Sequence, residues 1–119
     1  MNNALAGALL ATGQVDEAVV HLEAALKARP DYFDAHYNLG QALVAQGNFK
    51  GAAEQFSDAV KFNPDDADAQ ANLGSALAQM GELKEAKTHF ERALQLNPNH
   101  ALARENLQTV EQMMAQRTP

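Results

Sequence analysis

The chain has 119 residues, 46% of them apolar, with no Cys, no Trp and only two Tyr and five Phe. That length holds one compact domain or one short array and leaves no room for a second catalytic domain; Ala, Leu and Val must supply most of the buried surface. Nine Lys and Arg against fifteen Asp and Glu leave a net charge of −6, which argues against nucleic acid and acidic membranes as ligands, and the absence of Cys excludes disulfides, thiolate chemistry and Cys-type zinc sites.

At the start, Met1 to Val15 carries no charged side chain and includes an apolar run from Ala4 to Ala11. Asn2 and Asn3 stand where a secretory signal would have Lys or Arg, and eight residues fall far short of the roughly 20 that span a bilayer. The run reads as a buried helix, and no membrane insertion is expected.

From there the chain repeats itself. Pro30, Pro64 and Pro98 are spaced by 34 residues, as are Gly13, Gly47 and Gly81, and as are Ala18, Ala52 and Ala86. Leu5, Leu39, Leu73 and Leu107 carry the same interval into a fourth, incomplete unit. The chain therefore divides as a single array over 1–119: a truncated unit Met1–Tyr32, full units Phe33–Asp66 and Ala67–His100, and a tail Ala101–Pro119.

Within a unit the apolar residues keep helical spacing, Leu39, Ala42 and Leu43 first, then Ala52, Ala53, Phe56, Ala59 and Val60. Each unit is thus two helices. Gly47 ends the first by tolerating a left-handed φ, and Pro64 ends the second because it cannot donate to the preceding turn. Asp65 and Asn99 are the expected N-caps of the helices that follow. The Gly40, Ala52 and Ala59 columns are small so that paired helices approach closely. Gly51, where other units carry Glu17 and Glu85, costs about 1 kcal/mol of helix propensity, and nothing in the sequence explains it. In the tail, Gln108 replaces the small residue of the pairing column and Glu111 replaces Leu, so 101–117 reads as a terminal capping helix. The first unit lacks such a cap, so the chain is expected to be the C-terminal part of a longer array.

The residues His36-x-x-Leu39-Gly40-x-x-Leu43, Ala52-x-x-x-Phe56, Ala59 and Pro64, repeated as Gln70, Leu73, Gly74, Leu77, Ala86, Phe90, Ala93 and Pro98, resemble the tetratricopeptide repeat. His36 and Gln70 replace the usual Trp, and Leu9, Leu43 and Leu77 replace Tyr. The resemblance implies an all-α, right-handed helix-turn-helix solenoid of three units plus a capping helix, seven helices in all. It also implies a non-catalytic protein-interaction module that binds a peptide on the concave surface lined by first helices.

In register, that wall presents Asn3, Gly7, Leu10 and Ala11; Asp34, Tyr37, Asn38, Gln41, Val44 and Ala45; Asp68, Ala71, Asn72, Ser75, Ala78 and Gln79; and Leu102, Glu105, Asn106, Thr109, Gln112 and Met113. It is neutral to mildly acidic, so an extended neutral or basic peptide is the expected ligand. Relatives that grip acidic chaperone tails use a clamp of Lys, Arg and Asn on these helices. Only Asn38 matches it here, and Asp68 stands where the clamp has a cation, so that function is rejected.

The column Asn38, Asn72, Asn106 is singled out because a carboxamide offers both a donor and an acceptor to a peptide backbone. Similar asparagine ladders occur in the repeats of O-linked N-acetylglucosamine transferases. The alternative is that these residues bond a neighbouring helix. Three bidentate rungs contribute about 3–6 kcal/mol before ordering costs, so binding by this array alone falls in the high micromolar to millimolar range.

No catalytic constellation emerges. Ser57 and Ser75 are the only serines, and His21, His36, His89 and His100 lack the three- or four-residue spacing of a helical metal site. His21 and His89, in one column two units apart, read as partly exposed helix residues, and no cofactor or metal is expected. Glu23 with Lys27, and Lys87 with Glu91, suit i,i+4 pairs. Two other roles stay open. One is a scaffold that self-associates through its N-terminal face, around Leu5, Leu9, Val19 and Leu22. The other is a substrate-docking appendage of a larger enzyme such as a glycosyltransferase.

Overall fold

The structure, a computed structural model, describes residues 7 and 9–117. Helical residues 7 and 9–11 precede six bounded helices: α1 (Val15–Ala28), α2 (Phe33–Ala45), α3 (Phe49–Phe62), α4 (Ala67–Gln79), α5 (Leu83–Leu96) and α6 (Ala101–Arg117). The described residues contain no strand. Each helix packs on its chain neighbours, and α4 also touches α6. The result is an all-α solenoid, 49 × 26 × 22 Å, in which α2, α4 and α6 are the successive first helices.

Glycine and proline set the two kinds of turn. Gly13, Gly47 and Gly81 adopt φ of 81°, 77° and 81°. At Gly47 the amide bonds back to the Val44 carbonyl at 2.9 Å and the Asn48 amide to the Leu43 carbonyl at 2.8 Å, the paired bonds of a Schellman stop. The second helices stop differently. Arg29, Asn63 and Asn97 precede prolines, which exclude the helical region for them, and they lie extended at φ of −138°, −146° and −143°.

The prolines also explain why the N-caps fall one residue later than Asp65 and Asn99. The Asp66 amide bonds to the Asn63 carbonyl at 3.4 Å and the His100 amide to the Asn97 carbonyl at 3.0 Å. Proline and the residue after it are therefore the corners of a β-turn, and the next residue is the first free to cap. Asp66 Oδ1 accepts from the Ala69 amide at 2.9 Å, and His100 Nδ1 accepts from the Ala103 amide at 3.2 Å.

Packing inside a unit sets a large ring against a missing side chain. A Cβ built on Gly40 would lie 2.6 Å from Cε1 of Phe56, and one on Gly74 would lie 2.9 Å from Cε1 of Phe90. Both rings are fully buried. Gly51 has a different reason. Asn48 caps α3 through Oδ1, accepting from the Gly51 amide at 2.9 Å, and folds so closely that a Cβ on Gly51 would sit 2.7 Å from its Nδ2.

The residues in the usual Trp column close the inter-unit loops. His36 Nε2 donates to the Pro30 carbonyl at 2.7 Å, Gln70 Nε2 to the Pro64 carbonyl at 3.0 Å, and Arg104 Nη2 to the Pro98 carbonyl at 2.7 Å. His36 is buried and stacks on Phe62 with ring centroids 5.6 Å apart. Its Nδ1 lies 2.9 Å from the Gln55 carboxamide. In the next unit the partners are exchanged: His89 Nδ1 donates to Gln70 Oε1 at 2.9 Å.

Two expectations about the surface change. Lys87 pairs with Glu111 of α6 at 3.6 Å and so ties the last helix to α5. Leu9 and Leu22 are buried within the chain, and Val19 is half-buried against the same cluster, so these residues form no open apolar face. Leu5 lies outside the described residues. Val20, 64% exposed, is the large apolar side chain that α1 does present.

Candidate functional site

The first helices place most of the expected wall together. On α2, Asp34, Gln41 and Val44 are exposed, and Tyr37 and Asn38 are half-buried. On α4, Asp68 is exposed and Asn72 and Ser75 are half-buried. On α6, Glu105 and Thr109 are exposed and Asn106 is half-buried. Leu10 is partly buried against the core that contains Leu39 and Leu22. Ala71 is corrected: it is fully buried in the core cluster that includes Ala103 and Val110 of α6, so it presents nothing to a ligand. Asn3 lies outside the described residues.

Two asparagines of the column bridge adjacent first helices. Asn72 Nδ2 donates to the Tyr37 hydroxyl at 2.9 Å, and Asn106 Nδ2 donates to Ser75 Oγ at 3.2 Å. Each rung thus links its own helix to the preceding first helix, and each carboxamide still carries an oxygen, the acceptor a peptide amide needs. Tyr37 is held by its ring as well, edge-on to Phe56 with centroids 5.9 Å apart. Burial, followed by the charge of Asp68, pushes its phenol above the ordinary value of 10.0, so the hydroxyl stays protonated at neutral pH.

Charge is segregated across the array. Lys27, Lys50, Lys61, Lys84, Lys87 and Arg92 lie on second helices, and Arg29 lies just past one. The two remaining cations are on α6 and turn to backbone, Arg104 to the Pro98 carbonyl and Arg117 to the Gly81 carbonyl at 3.3 Å. The wall presents Asp34, Asp68 and Glu105 instead. Asp68 Oδ1 accepts from His100 Nε2 at 2.7 Å, which orients the carboxylate while leaving its side chain 70% exposed.

Two hollows were not anticipated from the sequence. One, of ≈250 Å³, opens between α4 and α6 over Phe90 and Val110, with Ser75, Asn106, Thr109 and Met113 around it. The other, of ≈580 Å³, lies between α3 and α5, with Leu73 and Leu77 beneath and Lys50, Glu54, Glu85 and His89 at the rim. Ala53 and Ser57, small residues four apart on α3, leave that space. Burial holds His89 below its ordinary 6.5, opposed by the nearby Glu85 carboxylate. Among the described residues no three His, Asp or Glu side chains gather as a metal site would require. No helix among them is long and apolar enough to cross a membrane.

Solved structures with the same arrangement are readily found. The first repeat domain of Spaghetti (RPAP3), bound to the HSP90 peptide SRMEEVD, is 26% identical with a TM-score of 0.93, covering 96% of this chain and 90% of that one. MamA is 27% identical with a TM-score of 0.89, covering 92% of this chain and 64% of that one. A Thermobaculum terrenum O-GlcNAc transferase mutant is 27% identical with a TM-score of 0.84, covering 92% of this chain and 21% of the transferase. No curated protein matches the sequence. Tetratricopeptide repeat profiles match residues 9–74 and again residues 67–100. With glycine stops, proline turns and glycine–phenylalanine packing recurring in step with those matches, the chain belongs to the tetratricopeptide repeat family.

Proposed function

We propose that the array is a non-catalytic protein-interaction module that holds an extended, neutral or basic peptide against α2, α4 and α6. The observation that carries this reading is the wall itself: carboxamides at regular spacing, exposed carboxylates, and no Lys or Arg in the groove-facing columns. The similar Spaghetti domain was solved with a peptide bound, which supports a peptide as the ligand class. Its peptide is acidic, whereas the carboxylates of this wall favour the opposite charge.

The test replaces Asn38, Asn72 and Asn106 together by Ala and titrates unrelated extended peptides by NMR. If these carboxamides bond peptide backbone, affinity falls several-fold for every peptide while helicity is kept. If they serve only to bridge helices, stability falls and affinity is unchanged.

A second reading, a substrate-docking part of a larger enzyme, is supported by the likeness to the O-GlcNAc transferase together with the asparagine column. The mass of the native protein on an immunoblot distinguishes it: a chain with room for a catalytic domain favours docking, and a chain of array size removes it.

A further inference from the structure

Building on the peptide-binding reading, we infer that the groove selects a peptide that carries a cationic side chain close to an apolar one. The apolar side chain seats in the slot between α4 and α6.

The first half rests on charge. The groove-facing columns of α2, α4 and α6 carry Asp34, Asp68 and Glu105 and no cation, although the chain has nine Lys and Arg to place. Asp68 is held in place by His100 yet 70% exposed, so its charge is oriented in advance and still open to a ligand. His100 Nδ1 already accepts from the Ala103 amide, so Nε2 is the donor and the Asp68 carboxylate the acceptor. An acidic peptide on this wall would meet like charge at each first helix, a repulsion with no Lys or Arg to relieve it.

The second half rests on shape. The ≈250 Å³ slot has an apolar floor, Phe90 and Val110, beneath a polar mouth of Ser75, Asn106 and Thr109. Met113, 38% exposed, stands beside it and is flexible enough to move aside or fold over an entering side chain. A pocket that is apolar below and hydrogen-bonding at its rim fits a peptide anchor, because the rim meets the backbone while the floor takes the side chain.

The experiment titrates the full chain with the blocked peptide Ser-Lys-Ser-Leu-Ser-Lys-Ser, its Lys-to-Glu counterpart and its Leu-to-Ala counterpart, followed by NMR at low salt. The Lys–Leu peptide should bind about tenfold or more tighter than the Glu–Leu peptide and should weaken as salt rises. Asp34→Asn with Asp68→Asn should weaken the Lys–Leu peptide about three- to tenfold, with shifts and helicity otherwise retained. Asn at 68 keeps an acceptor for His100, so the fold is not the variable. Thr109→Phe, which fills the slot from an exposed position, should remove the preference for Leu over Ala.

Equal binding of the Lys and Glu peptides, or unchanged affinity in the double Asp variant, overturns the charge half. Preference for Leu that survives Thr109→Phe overturns the slot. If the peptides bind the wall without regard to charge or to Leu, the interaction module stands and this inference falls. If none perturbs any resonance of α2, α4 or α6, both fall.

Discussion

Gly40→Ala adds one methyl group and should cost stability even though Ala is the better helix former. The new Cβ would fall 2.6, 2.7 and 2.8 Å from three atoms of the Phe56 ring, which is 1% exposed and has nowhere to turn. Overpacking of a closed core costs roughly 1–3 kcal/mol, and the directness of this clash places it in the upper part of that range. Against it stands a helix-propensity gain of about 1 kcal/mol, for a net loss of about 1–2 kcal/mol. At about 4 °C per kcal/mol for a chain of this size, Tm should drop by roughly 4–8 °C. Gly74→Ala should lose less, because its Cβ would meet Phe90 at 2.9–3.1 Å. The assay is urea unfolding followed by circular dichroism for each single variant and for Gly40→Ala with Phe56→Leu. The first unit has Ala6 and Leu22 at these two positions of the repeat. The double variant should therefore recover more than about 0.5 kcal/mol relative to the sum of the singles. A Gly40→Ala variant as stable as the parent, or additivity in the double, would falsify the packing argument.

Other substitutions test the remaining joints. Tyr37→Phe removes the hydroxyl that Asn72 meets at 2.9 Å, and a calorimetric loss of about 0.5–1.5 kcal/mol should shrink when Asn72 is already Ala. Asn48→Ala should cost about 1 kcal/mol, and adding Gly51→Ala should recover most of it, since the contact that excluded a Cβ there is gone. Exchanging partners, Gln70→His with His89→Gln, should leave urea stability within about 0.5 kcal/mol of the parent, because the His36–Gln55 pair already uses that arrangement. With His89 held below 6.5 in the fold, the unfolded chain takes up the proton first as pH falls. Its contribution is then complete above about 6.5 and lost as pH drops through the lowered folded value, so unfolding curves of His89→Gln should be flatter in pH than those of the parent.

The backbone plan was legible because it depends on single residues with one dominant effect. A glycine at a left-handed φ and a proline that excludes helix leave marks at fixed intervals, and Gly47 and Pro64 act as their chemistry requires. What escaped depends on two residues at once. Asp66 rather than Asp65 caps α4 because the proline turn uses Asp65 as a corner. Ala71 is buried in the core cluster that includes Ala103 and Val110 of α6 rather than on the wall, and Lys87 reaches Glu111 rather than its own helix. The wall was readable as a set of columns. That Asn72 and Asn106 bond the preceding first helix is one of the two roles the column left open, whereas the slot over Phe90 follows from how far apart neighbouring helices stand, which no column records.

The bond from the Trp column to the proline carbonyl six residues earlier is made here by an imidazole, a carboxamide and a guanidinium. What the column asks for is an N–H on a long side chain, and an indole satisfies the same request. Identity at this position is therefore free to drift among donors while the angle between successive units is held. Sequence comparison that scores His, Gln, Arg and Trp as mismatches will undercount how alike such arrays are. A Leu or Phe here would be the true departure, leaving the loop carbonyl to find water and the next unit free to swing.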